Sequence, residues 1–533
     1  MKNKIYIRDW LLFKPYLKQS KTDAYYLTLC NKVKDVLMQP EHFILLMYMD
    51  KKDLNLLSCV LVSYFEDVIS RTNIWNSFVK KHSELYGKPL PFYTTEEYDE
   101  DEINEQDVSF LIWYFLNTIQ EDKFISPYNE IIMKIADDVM EIFDEEYEYA
   151  PDNEILKSCY SLKLDETDFY PARILIDNIL FKSYLFYTNT LFRLQKQELE
   201  FLEDEKYGPG QINFLNEVRD SLLHSCCTRL LGMKGKEWAA EILGKSHPLY
   251  ADLQEMSPKV FGYFLYKGQD DNHIFLEHIA SRKKFPLFKK SFDHYQQLTK
   301  MNTIVLIGLV KWRKEWWFSG IFGQEDYDEG KIRREKTSEI GLKSVSFLDH
   351  AEKAPEILQM QEKAFLKFNH NSPIAFLSTD KIDSFFNNYR TYYNSIFQKE
   401  ERESALKNFK ESDFFKEKEH EKPDFSGLAD SGLVFFNSKS GCEIAIGINS
   451  AFPAKENPYF REDESEEAVF SLFVSSDYSK ELAMYCIDHY KDKLTYLKEG
   501  KGRRYLDDID FLLRFWKQED YFSKPSISYL DSE

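Results

Sequence analysis

The stretch "VFGYFLYKGQDDNHIFLEHIASRKKFPLFKK", residues 260–290, decides how the chain is read. It holds short apolar runs, "VFGYFLYK", "HIFLEHI" and the start of "FPLFKKSF", separated by the turn-like breaks "GQDDN" and "ASRKK". Alternation in the middle run puts His273, Phe275, Glu277 and Ile279 on one face and Ile274, Leu276 and His278 on the other. Two histidines bracketing a glutamate suggest zinc at first sight. The spacing H-x-x-x-E-H, however, fits neither HExxH nor HxxEH, and in a strand the two imidazoles diverge. The run is read as structure, with no metal assigned.

Two more runs follow, "TIVLIGLVKW" from Thr303 and "EWWFSGIFG" from Glu315. Five strands at this spacing predict a small five-stranded β-barrel of OB or SH3-like type over residues 256–324. Pro286 belongs at a strand start or an edge, where its missing N–H does least harm.

Outward from the barrel the periodicity changes. Residues 1–255 read as a mainly helical domain. Ser126 as N-cap and Pro127 at the first helical position open a helix whose Ile131, Ile135, Val139 and Ile142 share one face. Further helices are predicted at 171–196, 211–231 and 235–243, and the acidic "EEYDEDEINEQD", residues 96–107, is read as a solvated loop. Residues 325–425 are a helical connector ending in the mixed-charge stretch 399–424, a solvated helix or linker. Residues 426–533 form an α/β region: a hairpin from "GLVFFNS" and "CEIAIGIN", a strand from "AVFSLFVS", and helices over "SKELAMYCIDHYKDKL" and "YLDDIDFLLRFWKQ". The expected class is α+β.

Composition bounds the setting. In 533 residues, 43% hydrophobic and 16% aromatic content supply packed cores, and a net charge of −21 makes the surface as a whole a poor partner for nucleic acid or anionic lipid. Seven scattered cysteines without a CxxC argue against a disulfide framework or zinc ribbon. The start has no sustained apolar core, and the longest apolar runs are too short to span a bilayer. A cytoplasmic protein without a membrane partner is the expectation.

Candidate chemistry is sparse. The barrel segment 256–323 carries eleven Lys or Arg against five acids, a local +6 in an acidic chain. Lys283, Lys284, Lys289, Lys290, Arg313, Trp316 and Trp317 are the residues expected to line a groove for single-stranded nucleic acid, combining charge with stacking platforms. The competing reading makes the aromatics core and docks the basic face onto the acidic helical region. His224 and Cys227 in "HSCC", three apart on a helix, are the one thiol–imidazole candidate. Asp138, Glu141, Glu145 and Glu148 form a helical carboxylate stripe read as a solvated face. "EGKGRRY", residues 499–505, lacks P-loop spacing and is read as a surface turn. No catalytic motif, cofactor fingerprint or metal set occurs, so catalytic residues stay unassigned and no cofactor or metal is expected.

The strings "KIYIRDWLLFKPY" (4–16), "EDKFISPYNEIIMKIADDVMEIFDEEYE" (121–148), "GLVFFNSKSGCEIAIGINSAFP" (432–453) and "YLDDIDFLLRFWK" (505–517) resemble a family of large, acidic bacterial proteins of unknown function. The resemblance implies no activity and carries over no site residues. The leading expectation is a non-enzymatic binding or scaffold protein. The alternatives are single-stranded nucleic-acid binding through the barrel and a hydrolase-like enzyme with an unrecognised site. The expected partner is a protein or single-stranded nucleic acid.

Overall fold

The computed structural model describes residues 4–120, 123–203, 211–348, 354–396, 427 and 429–522. The mixed-charge stretch 399–424 lies outside them. Helices surround a closed five-stranded barrel on both sides in sequence, an α+β protein. Among the described residues no helix is long and apolar enough to cross a membrane.

The helical body is built around Lys51–Ser70. Asp50 caps it, its carboxylate accepting from the backbone N–H groups of Lys52 and Asp53. From Leu57 to Asp67 every side chain is buried, so this helix is enclosed rather than amphipathic. Its acids are therefore paired: Glu66 takes Lys14 and the Asn153 amide, and Asp67 accepts from Thr72, the Trp75 N–H and Tyr184. The helix at Glu130–Glu146 starts later than the Ser126–Pro127 signal, because Asn129 caps it by accepting from the Ile131 N–H. Its buried stripe is Ile132, Ile135, Ala136, Val139 and Phe143. Asp138 leaves the carboxylate stripe to meet the buried His42 at 2.6 Å. The helix expected over 171–196 is two, Phe169–Lys182 and Tyr187–Glu203, broken at Ser183 where the backbone turns extended.

The barrel strands are β1 (Val260–Gln269), β2 (His273–His278), β3 (Lys284–Phe288), β4 (Ile304–Trp312) and β5 (Glu315–Glu325). The closed order β1-β2-β3-β5-β4, with β3 and β5 parallel, is the OB-type arrangement of the two expected. In β2, Ile274, Leu276 and His278 are buried while His273, Phe275 and Glu277 face outward. His278 is buried with Nδ1 against the Ser281 hydroxyl, and His273 meets Glu315 at 3.0 Å, so the two rings do diverge. Pro286 sits opposite Phe275 on β3, which meets β5 at the single Leu287–Trp316 pair and thus tolerates a missing donor.

The C-terminal region carries a sheet in the order β6 (Ile374–Ser378), β7 (Ser431–Asn437), β8 (Gly441–Ile446). The β7–β8 hairpin matches its sequence signal. Helices cover both faces: Leu433 and Phe435 pack towards Val469, Leu472 and Leu482, while Val434 and Phe436 pack towards Phe365 and Tyr389. Burial on both sides explains the unbroken apolar run. β6 was hidden in a stretch read as helical. "AVFSLFVS" is no strand: it lies in the helix Ser465–Val474, whose buried Ala468, Val469, Leu472 and Phe473 follow three-and-four spacing.

Candidate functional site

The basic barrel end closest to the helices is engaged from within the chain. Lys290 bonds Asp168 at 2.5 Å, Arg313 bonds Asp252 at 2.7 Å, and Lys289 donates to the Asp270 carbonyl while lying over the Tyr295 ring. Trp316 is 8% exposed and turned into the barrel core against Phe285. Trp317, on the opposite face, is 4% exposed and packs among Phe169, Tyr170 and Phe288. Both indoles are engaged in packing rather than offered to solvent. Lys283 and Lys284 stand at the other end of β3, with Lys284 exposed beside Glu277.

Behind this contact lies a buried polar centre. Lys259, just ahead of β1, reaches Glu217 and Asp220 on the helix Gln211–Ser225, the latter at 2.6 Å. Asp220 also takes Arg173 at 2.5 Å and the Ser319 hydroxyl at 2.8 Å, and Glu217 accepts the Ile321 N–H at 3.2 Å. Burial works to raise the Asp220 carboxyl, but the Lys259 ammonium and the Arg173 guanidinium outweigh it and hold it below the usual carboxylate range. Glu217 is raised by burial, which Lys259 offsets only in part. The centre requires Gly320, at φ +95°: a Cβ there would meet the Glu217 carboxylate and come within 2.6 Å of the Lys259 ammonium. Gly320→Ala is therefore expected to cost at least the ~1–3 kcal/mol of a disfavoured backbone conformation. An unchanged urea midpoint would remove the claim that β5 must approach this closely.

His224 and Cys227 do not form a pair. His224 is buried against Phe169, with Nε2 on Ser319 at 3.1 Å, and burial pushes its pKa down to about 3. The Cys227 thiol is buried, directed at the Ser225 carbonyl, and raised far above the ordinary thiol value by that burial. A cleft of about 430 Å³ opens beside the centre, but Arg173 and Arg219 in its wall are already bound to Asp220 and Asp177.

A second cavity, about 420 Å³, lies in the seam between the helical body and the C-terminal region. Its apolar wall comes from Phe124, Phe470, Val474, Phe515 and Trp516, with Phe124 and Trp516 rings 5.2 Å apart. Its polar groups include two cations and a set of serines. Arg229 is fixed by donating to the Asn117 carbonyl at 2.7 Å and by lying over the Phe515 ring. Lys123 is exposed at the rim and pairs with no carboxylate among the described residues. Ser471, Ser475 and Ser476 line the opposite side. The 475–478 turn is tied down by Lys517, which donates to the Ser475 and Tyr478 carbonyls and whose pKa burial pushes down to about 8. Sequence reasoning missed this site because its parts come from residues 117–120, 123–124, 229, 470–476 and 515–518. No local spacing marks them. The one signal was "YLDDIDFLLRFWK", whose dense aromatics exceed what a surface helix needs.

No group of three or more potential metal ligands occurs among the described residues. No curated protein and no solved structure matches the chain. A family model described as "Protein of unknown function (DUF3843)" matches residues 4–292, the helical body and the first three barrel strands. With more than half of its length matched, the chain belongs to that family.

Proposed function

We propose that the protein is a small-molecule-binding protein whose ligand sits in the seam cavity. The observation that carries this reading is the combination in one cavity of an aromatic wall, a fixed guanidinium and a set of hydroxyls. A volume of about 420 Å³ falls within the range of small-ligand sites, and such sites favour the junctions between structural units. The barrel serves the scaffold: its aromatic and ionic contacts hold it against the helical body. The buried, neutral His224 and the inert thiols support binding rather than nucleophilic chemistry at that junction.

Val474→Trp tests the proposal by filling the cavity from its own wall. In a thermal-shift screen of small metabolites, a ligand at a hundredfold excess over its Kd stabilises the wild type by about 2.7 kcal/mol. The same compounds are expected to leave the unfolding temperature of V474W unchanged. Compounds that shift both proteins equally bind elsewhere and sink the proposal.

A further inference from the structure

We infer that the seam cavity selects organic anions: a flat apolar body carrying one carboxylate, sulfonate or phosphate group. The inference rests on the proposed binding role of the cavity and adds the chemical class of its ligand. Two cations, Lys123 and Arg229, line the cavity, and no described Asp or Glu does. In a chain of net charge −21, two cationic side chains on the described wall of one cavity disfavour cationic ligands in a place where apolar walls would otherwise accept any apolar molecule.

The two cations differ in role. Arg229 is held in one orientation by the Asn117 carbonyl and the Phe515 ring, and Asn117 is itself fixed by accepting from and donating to the Ile125 backbone. A guanidinium positioned this way meets an oxyanion without first losing side-chain freedom. Lys123, at the exposed rim, adds attraction on approach. The Ser471 and Ser476 hydroxyls have no partner among the described residues and supply donors to the anionic group. Phe124, Phe515 and Trp516 present rings from two separate segments, which suits a planar body rather than a branched one.

The test uses two dyes that share one skeleton. 8-Anilinonaphthalene-1-sulfonate carries the anion; N-phenyl-1-naphthylamine is the same ring system without it. The wild-type protein is expected to bind the sulfonate at least fivefold more tightly, with an affinity that falls as salt rises. Lys123→Gln, at an exposed position, weakens the sulfonate by about fivefold, the size of a partly screened charge contact, and leaves the neutral dye unchanged. Ser476→Asp, also exposed, places a carboxylate on the rim and weakens the sulfonate alone. V474W abolishes binding of both dyes. If V474W blocks both dyes but K123Q and S476D leave the sulfonate untouched, the cavity binds ligands and the anion inference falls. If V474W binds both dyes as the wild type does, or if neither dye binds the wild type, the binding role of the cavity falls with it. Should V474W not fold, K123Q and S476D still decide the charge requirement on their own.

Discussion

Replacing Lys259 by methionine is expected to lower stability by about 3–5 kcal/mol at pH 7, because one partner of a buried ion pair is removed and the others remain. Glu217 and Asp220 are both buried and stay behind, with Arg173 alone to compensate Asp220. The pH dependence carries the diagnosis. Glu217 already has a raised pKa from burial, so its charged form is the disfavoured one in the fold, and losing Lys259 raises it further. Asp220 is the opposite case. Its carboxyl lies below its unfolded value, so its contribution is present above that value and is lost as pH falls. Without Lys259 that depression shrinks. The deficit of K259M against wild type should therefore be greatest near neutrality and narrow towards pH 5, as the Glu217 carboxylate, raised further by the loss of Lys259, takes up a proton. Urea titrations at the two pH values measure it. An equal deficit at both would show that the loss is one of packing along the Lys259 stem, not of charge. Adding Glu217→Gln to K259M should recover part of the loss at pH 7, since the double variant leaves one fewer buried charge uncompensated.

Phe511→Ala is expected to cost about 3–5 kcal/mol, the range for a large aromatic removed from a packed core. Phe511 is fully buried in the helix Ile509–Trp516, yet its neighbours are Phe92, Phe110 and Trp113 of the helical body, at ring separations of 5.6, 6.0 and 6.2 Å. The readout that matters is where the damage appears. Hydrogen exchange should quicken along the helix Glu105–Ile119, which presents Phe110 and Trp113. If protection is lost only in residues beyond 430, the last helix does not complete the core of the first half.

How much of this was legible follows from how local each signal is. The barrel was readable because alternation is a two-residue signal: "HIFLEH" distributes its side chains in sequence as it does in space. β6 was not, since five residues of "IAFLS" between two amphipathic helices give periodicity too little length. "AVFSLFVS" carries strand-favouring residues but is buried at helical spacing, a case of packing overriding propensity. Trp316 and Trp317 illustrate the limit for sites. Adjacent in a strand, they point to opposite faces, and composition alone could not say that both faces are covered, one by the barrel interior and one by Phe169 and Tyr170. Local charge showed the barrel to be basic; only tertiary structure shows Asp168, Asp252, Glu217 and Asp220 waiting opposite. The seam cavity was beyond sequence reading for the same reason, as its residues meet only after the chain returns from position 124 to position 515.

That return has a consequence for how the protein is made. A ribosome releases the chain from its first residue onward, and helical segments near the start have many seconds in which to pack before the last are translated. Here the aromatic cluster around Trp113 and Phe110 cannot close until Phe511 and Phe515 have emerged, some four hundred residues later. Until those residues emerge, the nascent helical body exposes the surface that the helix Ile509–Trp516 will cover. A polypeptide stalled or cleaved short of residue 509 thus displays a ready-made apolar face to chaperones and proteases, and the emergence of Ile509–Trp516 is what withdraws it.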